Sequence, residues 1–446
     1  MEAFRVRTRG TVDGHVSGAA QMTSSFGWLD TDNAERRRML EVIDLFKEQG
    51  TVDELGIGSI RDTFSDALFP GTSTLLTRLR YALFVPWLVE RAVTGASSAD
   101  DAARRLRVEE VRLIEALVDG YRDRQDGRGQ GVLGQTARAK LKRMPSEVYW
   151  GPLGRWQLRT WDTSVIGHLR RGSALQGASR GRTETDDPGA RDGRLDTGFD
   201  LGGLEPPHDL LRSTTFDLRP EEATILLERL RTTTAGSLLG WLLEHGDTLD
   251  LDAGSAGEFS LASAPPDLRR VVDHATRFSL TVHGASLLYN LLVAEAASLP
   301  DLVDHYRERL DEWRAEVIST RTLEDWNRGE LWHVLTERNE KIPTPTRAFV
   351  DAWLDAVLDA GQVEDSSRAR ELVAHRERRL KGPRARLVNR SARESWKGES
   401  GTGLLDYRWG VTRRLLDDLF SAVPDFPRSV RTDQRDDVLL TVGTTA

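Results

Sequence analysis

Residues 278–299 read FSLTVHGASLLYNLLVAEAASL, with one formally charged side chain, Glu295, in 22 positions. A helix that is apolar on every side is an interior helix, and other elements must wrap it. His283, set in so apolar a segment, reads as a satisfied core residue. The chain supplies wrapping material in quantity. Residues 33–48 (NAERRRMLEVIDLFKE) place Met39, Leu40, Ile43, Leu45 and Phe46 largely on one side with charges opposite, the 3.6-residue period of an amphipathic helix. The same period recurs over 100–124 through Val108, Val111, Leu113, Ile114 and Leu117, and in 219–231, 237–245, 302–317 and 346–360. Strand signals are sparse, with TFDL at 215–218 and VLLTV at 438–442 the best. The expected fold class is mainly α, an irregular multi-helix architecture with few short strands.

Breaks in the pattern suggest an organisation. Residues 1–22 hold few large apolar groups and read as a disordered extension; Met22 opens the patterned part, which points to translation from an upstream codon. A helical domain is expected over 23–170, a mobile loop or linker over 171–214 that is rich in Gly, Arg, Asp and Ser, a second helical domain over 215–424, and a tail over 425–446. With 446 residues the chain can bury a large core without covalent staples. It has no cysteine, which removes disulfides, thiolate nucleophiles and sulfur-ligated zinc. The longest strictly apolar run, residues 81–89, is interrupted by Pro86 and far short of the ~20 residues that span a bilayer. A cytoplasmic protein with no membrane role is expected.

Local chemistry concentrates in three places. The stretch LFPGTSTLLTRLRYALFVPW, residues 68–87, ends one helix at Phe69-Pro70-Gly71, and Ser59 with Asp62 reads as the capping box of that preceding helix. A next helix starting near Thr72 or Ser73 would present free N–H groups and the hydroxyls of Thr72, Ser73 and Thr74 to an anion, with Arg78 a turn or two on. The structural alternative is an N-cap, with Arg78 and Arg80 paired to Asp62 and Asp66. The second place is residues 366–398, where eleven Lys and Arg side chains face three Glu although the chain carries a net −8. Arg376, Arg378, Arg379, Lys381, Arg384, Arg386, Arg390, Arg393 and Lys397 could neutralise phosphates, with Trp396 and Tyr407 available for base stacking. A basic helix docked on acidic patches of its own chain or of a partner is the alternative. Third, twelve tryptophans, several beside arginine as at Trp156, Trp161, Trp313 and Trp409, read first as core anchors and second as stacking platforms.

Familiar catalytic signatures are missing. LGIGSIRD at 55–62 lacks the third glycine of a dinucleotide turn and a preceding strand. His274 and His283 stand nine residues apart, on opposite faces of a continuous helix, so they are not expected to share a metal. No metal and no cofactor are expected.

The segments SSFGWLD (24–30), DELGIGSIRDTFSDALFPGTST (53–74), TRLRYALFVPW (77–87), YWGPLGRWQLR (149–159), FSLTVHGASLLYNLLVAE (278–295) and LKGPRARL with the downstream LDYRW (380–409) resemble an uncharacterised bacterial family, domain of unknown function 6361. The resemblance spans roughly residues 23–420. It implies a helical cytoplasmic protein encoded among restriction, helicase and nuclease genes of defence clusters, and it transfers no catalytic residue. The leading expectation is a non-enzymatic subunit of a bacterial anti-phage defence system that contacts nucleic acid, or a protein partner from the same cluster, through residues 366–398. One alternative is a nuclease or phosphate-ester hydrolase that gathers Arg61, Asp62, Arg78 and Arg80 with Glu377, Lys381, Asp406 and Arg408; another is a pure scaffold.

Overall fold

A computed structural model describes residues 53–122, 130–183, 196–246, 255, 257 and 259–423. The expected extension, the helix over 33–48, the VLLTV strand and the tail lie outside the described residues. Fourteen α-helices follow one another among them: α1 Gly58–Leu68, α2 Tyr81–Val93, α3 Ala99–Gly120, α4 Pro145–Arg155, α5 Val165–Thr183, α6 Pro220–Thr233, α7 Leu238–Glu244, α8 Pro266–Ala297, α9 Pro300–Ser319, α10 Arg328–Arg338, α11 Thr344–Asp359, α12 Ser367–Lys381, α13 Arg390–Glu394 and α14 Trp409–Phe420. The fold is mainly α.

Among the described residues no strand forms, and one isolated antiparallel bridge joins Arg159 to Phe199. The TFDL segment is irregular because its polar groups are claimed one by one. Phe216 N–H donates to the Tyr121 hydroxyl at 2.7 Å, and the Thr215 carbonyl accepts from Arg80 at 2.8 Å. No neighbouring strand remains to be paired.

The apolar stretch lies within α8, which runs 32 residues and ends at Ser298 in the left-handed conformation. Large side chains of other elements close over it and donate to its backbone. Trp313 of α9 donates its indole N–H to Leu280 O at 2.7 Å, Trp353 of α11 to Thr281 O at 2.9 Å, and Tyr407 its hydroxyl to Ala275 O at 2.7 Å. Gly284 is required there, since a Cβ would stand 2.2 Å from the Trp313 ring. Ten of the eleven tryptophans among the described residues are buried, which places these rings, including the four beside arginine, in the core. Buried apolar side chains from Leu55 to Phe420 form one contiguous cluster.

Two helix starts differ from expectation. At α1 the cap comes from upstream: the Asp53 carboxylate accepts Ile57 N–H at 2.8 Å and Gly58 N–H at 2.6 Å, while Ser59 lies inside the helix with its hydroxyl unpartnered. The helix expected from Thr72 begins at Tyr81 instead. Side chains intercept the backbone of 77–79: the buried Tyr149 phenol accepts the Thr77 and Arg78 N–H groups at 3.0 and 3.1 Å and donates to Arg78 O at 2.7 Å. Asp418 of α14 takes Leu79 N–H at 2.8 Å. Pro86 sits inside α2 without ending it. In the segment expected as a linker, α5 continues to Thr183, and Leu201 and Leu210 are buried in the core.

Candidate functional site

The basic segment is split between interior and surface by the local rules of α12. Ser366 caps this helix through Ala369 N–H at 3.3 Å, and Ala369, Val373, Arg376 and Glu377 recur at the spacing of one helix face, which is buried. Arg376 thus enters the core, 5% exposed. Its guanidinium donates to Leu55 O at 2.7 Å, Gly56 O and Pro345 O at 3.0 Å and Thr346 Oγ1 at 2.9 Å. Burial draws its pKa below the ordinary arginine value. Gly56 has φ +67°, and a Cβ there would stand 2.9 Å from the Arg376 Nη2.

Glu377, fully buried, acts as a latch for the chain that follows. Gly382 turns it back at φ +54°, and the Glu377 carboxylate accepts the Arg386 and Leu387 N–H groups at 2.8 and 3.1 Å together with the Tyr289 hydroxyl at 2.8 Å. Asn389 secures the return by donating to Pro383 O at 2.7 Å, and its side-chain oxygen caps α13 through Ala392 N–H at 3.1 Å. Two more cations point inward, to the buried Glu54. Arg386 meets Glu54 Oε1 at 2.5 Å, Ser400 Oγ donates to the same oxygen at 2.6 Å, and Lys381 contacts the other oxygen. Burial, then the charge of Arg386, pulls the Lys381 ammonium down to about 7. Arg393 donates to Arg386 O at 2.8 Å. Trp396 is buried against Tyr306 and donates its N–H to Asn290 Oδ1 at 3.3 Å, and Tyr407 is buried in the core.

What remains outside is Arg378, Arg379, Arg384, Arg390 and Lys397, all exposed. Arg378 and Arg379 share the outer face of α12 with His375, Arg384 stands on the returning turn, and Arg390 pairs with exposed Glu394 at 3.0 Å. Leu380 and Val388 are exposed among them. Of the ten side chains expected to meet nucleic acid, five are therefore on the surface and the other five hold the segment in place.

Thr72, Ser73, Thr74 and Arg78 do not form a helix-start anion site. The Thr72 hydroxyl donates to Phe69 O at 2.7 Å, and Arg78 forks onto Asp418 at 2.7 and 2.9 Å while lying over the Phe216 ring. Burial raises the Tyr149 phenol to about 12, so it stays protonated and keeps its donor role beside Arg78. Of the eight residues of the hydrolase reading, Arg61, Asp62, Asp406 and Arg408 meet in one ion-pair cluster, with Arg408 Nη2 3.9 Å from Asp62 Oδ1, and the other four lie elsewhere. Arg80 forks onto fully buried Glu222 at 2.9 and 3.0 Å; Arg61 meets Asp62 at 3.1 Å; Arg408 meets Asp66 at 2.6 Å, with Asp406 accepting its N–H at 3.0 Å; Glu377 and Lys381 belong to the latch. Neither Arg78 nor Arg80 pairs with Asp62 or Asp66 of α1; their carboxylates come from 340 and 142 residues away. Among the described residues no group of three or more His, Asp or Glu side chains is arranged to hold a metal ion, and no helix is long and apolar enough to cross a membrane.

Sequence reading missed Glu54, Tyr289 and Ser400, the partners that draw half of the cluster inward. The one local signal was the acidic pair Asp53-Glu54 ahead of Gly56 in a block that resembles the family. No curated protein and no solved structure matches the chain. A family model, described as a family of unknown function, matches residues 23–423, and the chain belongs to that family, DUF6361.

Proposed function

We propose that the protein is a non-enzymatic helical subunit of a bacterial anti-phage defence system, and that it grips the phosphate backbone of nucleic acid through Arg378, Arg379, Arg384, Arg390 and Lys397. One observation carries the reading: five exposed cations lie within twenty residues of a chain of net charge −8, and Arg390 alone among them has an ion-pair partner among the described residues. Exposed cations on a latched segment keep their charge available for phosphates, with little ordering left to do on contact. The sequence-independent character follows from the residue types, because the aromatic rings that would read or stack bases are buried. The defence setting is what the family resemblance implies.

Exposed Leu380 and Val388 among the arginines favour a second reading, an acidic protein partner with an apolar ridge. Purification of the tagged protein from its native host, with and without nuclease treatment, separates the two. Nucleic acid that co-purifies and is lost on reversing Arg378, Arg379 and Arg384 to Glu supports the first. A stoichiometric protein that resists nuclease and is lost on Leu380→Asp supports the second. If the triple reversal leaves phage resistance unchanged, the nucleic-acid reading is wrong.

A further inference from the structure

Trp326, between α9 and α10, is the one tryptophan among the described residues that is not buried. Its indole N–H donates at 2.9 Å to Nδ1 of His274, a residue of α8 that is 3% exposed. An indole nitrogen has a proton to give and no lone pair to accept with, so Nδ1 is the bare nitrogen and the ring proton sits on Nε2. Nε2 is buried and has no hydrogen-bond partner among the described residues; the Glu330 carboxylate stands 3.9 Å away. The tautomer is thus set by Trp326.

Residues 320–327, which carry Trp326, are fastened from α8. Arg277 donates to Thr322 O and Glu324 O, both at 2.9 Å, and His274 takes the indole. Arg321 and Asp325 in this segment hold φ +52° and +53°, left-handed values that cost a residue with a side chain, so the outside bonds matter to its shape. The segment in turn sets the start of α10, where Asn327 caps Glu330 N–H at 3.1 Å, and the far end of α10 reaches α1 through Asn339 and Thr63 at 2.9 Å. A proton added to the neutral imidazole can enter only at Nδ1, where it would meet the indole N–H head on. Bonding of Trp326 and protonation of His274 therefore exclude each other. Burial opposes that proton first; Asp273 of α8 and Glu330 of α10 favour it, Arg277 and Arg270 oppose it, and the result lies below the ordinary 6.5. The two carboxylates are themselves paired, Asp273 with Arg277 at 2.9 Å and Glu330 with Arg270 at 3.1 Å. A histidine lowered on folding contributes stability that is present above its ordinary value and is lost as the pH falls below it.

We infer that His274 and Trp326 form a proton-operated catch: the indole fastens residues 320–327 to α8 while the imidazole is neutral, and protonation of His274 releases it. The test is an NMR titration of the full-length protein, ¹⁵N-labelled at histidine and tryptophan, from about pH 8 down to the onset of acid unfolding. Trp313 and Trp353 serve as references, because their indoles donate to backbone carbonyls of the same helix, Leu280 O and Thr281 O, which do not titrate. The Trp326 indole signal should move with the midpoint of the His274 ring, below the ordinary histidine value, while the two references stay in place. Trp326→Phe keeps a ring and removes the donor; it should raise the proton affinity of His274 by roughly threefold to tenfold, the worth of one hydrogen bond to the neutral form. A Trp326 indole that stays fixed until the references move with it, or a His274 midpoint that Trp326→Phe leaves unchanged or lowers, overturns the catch.

Discussion

Arg376 and Arg379 stand three residues apart in the same basic helix and do opposite work. The difference is made by what each meets: Arg376 finds three carbonyls and a hydroxyl inside the fold, and Arg379 finds solvent. Removal of the inner guanidinium leaves buried acceptors unsatisfied, so Arg376→Ala should lower stability by roughly 2–4 kcal/mol in urea denaturation, while Arg379→Ala should change it by less than about 0.5 kcal/mol. A loss of equal size at both positions would contradict the division. A second residue gives a pH signature. Glu110 is 2% exposed; burial raises its carboxyl to about 7, although it accepts Ser146 N–H at the start of α4 at 2.8 Å. The folded state thus holds a proton that the unfolded chain releases above its ordinary value near 4.5, and the stability that Glu110 contributes at low pH is lost as the pH climbs toward 7. Glu110→Gln should therefore leave thermal stability near pH 4.5 almost unchanged and raise it at pH 8, by up to roughly 3 kcal/mol. A gain at pH 4.5 as large as that at pH 8 would reject this account.

For the elements, Glu377 decides whether the chain after α12 is ordered. Its carboxylate is the common acceptor for Arg386 N–H, Leu387 N–H and the Tyr289 hydroxyl. Glu377→Ala should speed hydrogen exchange at the Arg386 and Leu387 amides by at least about tenfold, with helical content by circular dichroism unchanged; unchanged exchange there would remove the latch from the account. The interiors of the helices were legible in sequence because burial of one face writes a period into the chain, as in 219–231 and 346–360. Helix starts were not. Thr72 and Ser59 look like caps locally, but the groups that settle the backbone there are Tyr149, Asp418 and Asp53, and two of those lie far along the chain. The site was legible in the same degree: the charge cluster is visible in residues 366–398, whereas its division depends on Glu54, more than 300 positions away.

Across the molecule, buried ion pairs join distant parts of the sequence to one core. Arg80 reaches Glu222 and Arg78 reaches Asp418, each pair nearly removed from water. Such pairs are poor sources of stability compared with apolar packing, yet a wrong partner would leave a charge buried alone, so they select one arrangement of the helices. The interior absorbs ten of the eleven described tryptophans and half of the ten side chains expected to meet nucleic acid, and it leaves Arg378, Arg379, Arg384, Arg390 and Lys397 facing solvent on a chain of net charge −8. The most direct measurement is the affinity for a fluorescently labelled DNA duplex as a function of salt, by anisotropy, for the natural chain and for the variant with Arg378, Arg379, Arg384, Arg390 and Lys397 changed to Glu. The natural chain should show log affinity falling with log salt at a slope of about −4, as expected for up to five phosphate contacts, and the variant should fold with unchanged thermal stability and bind no duplex. Salt-independent binding by the natural chain, or equal affinity in the folded variant, would contradict the claim that these five side chains form the working surface.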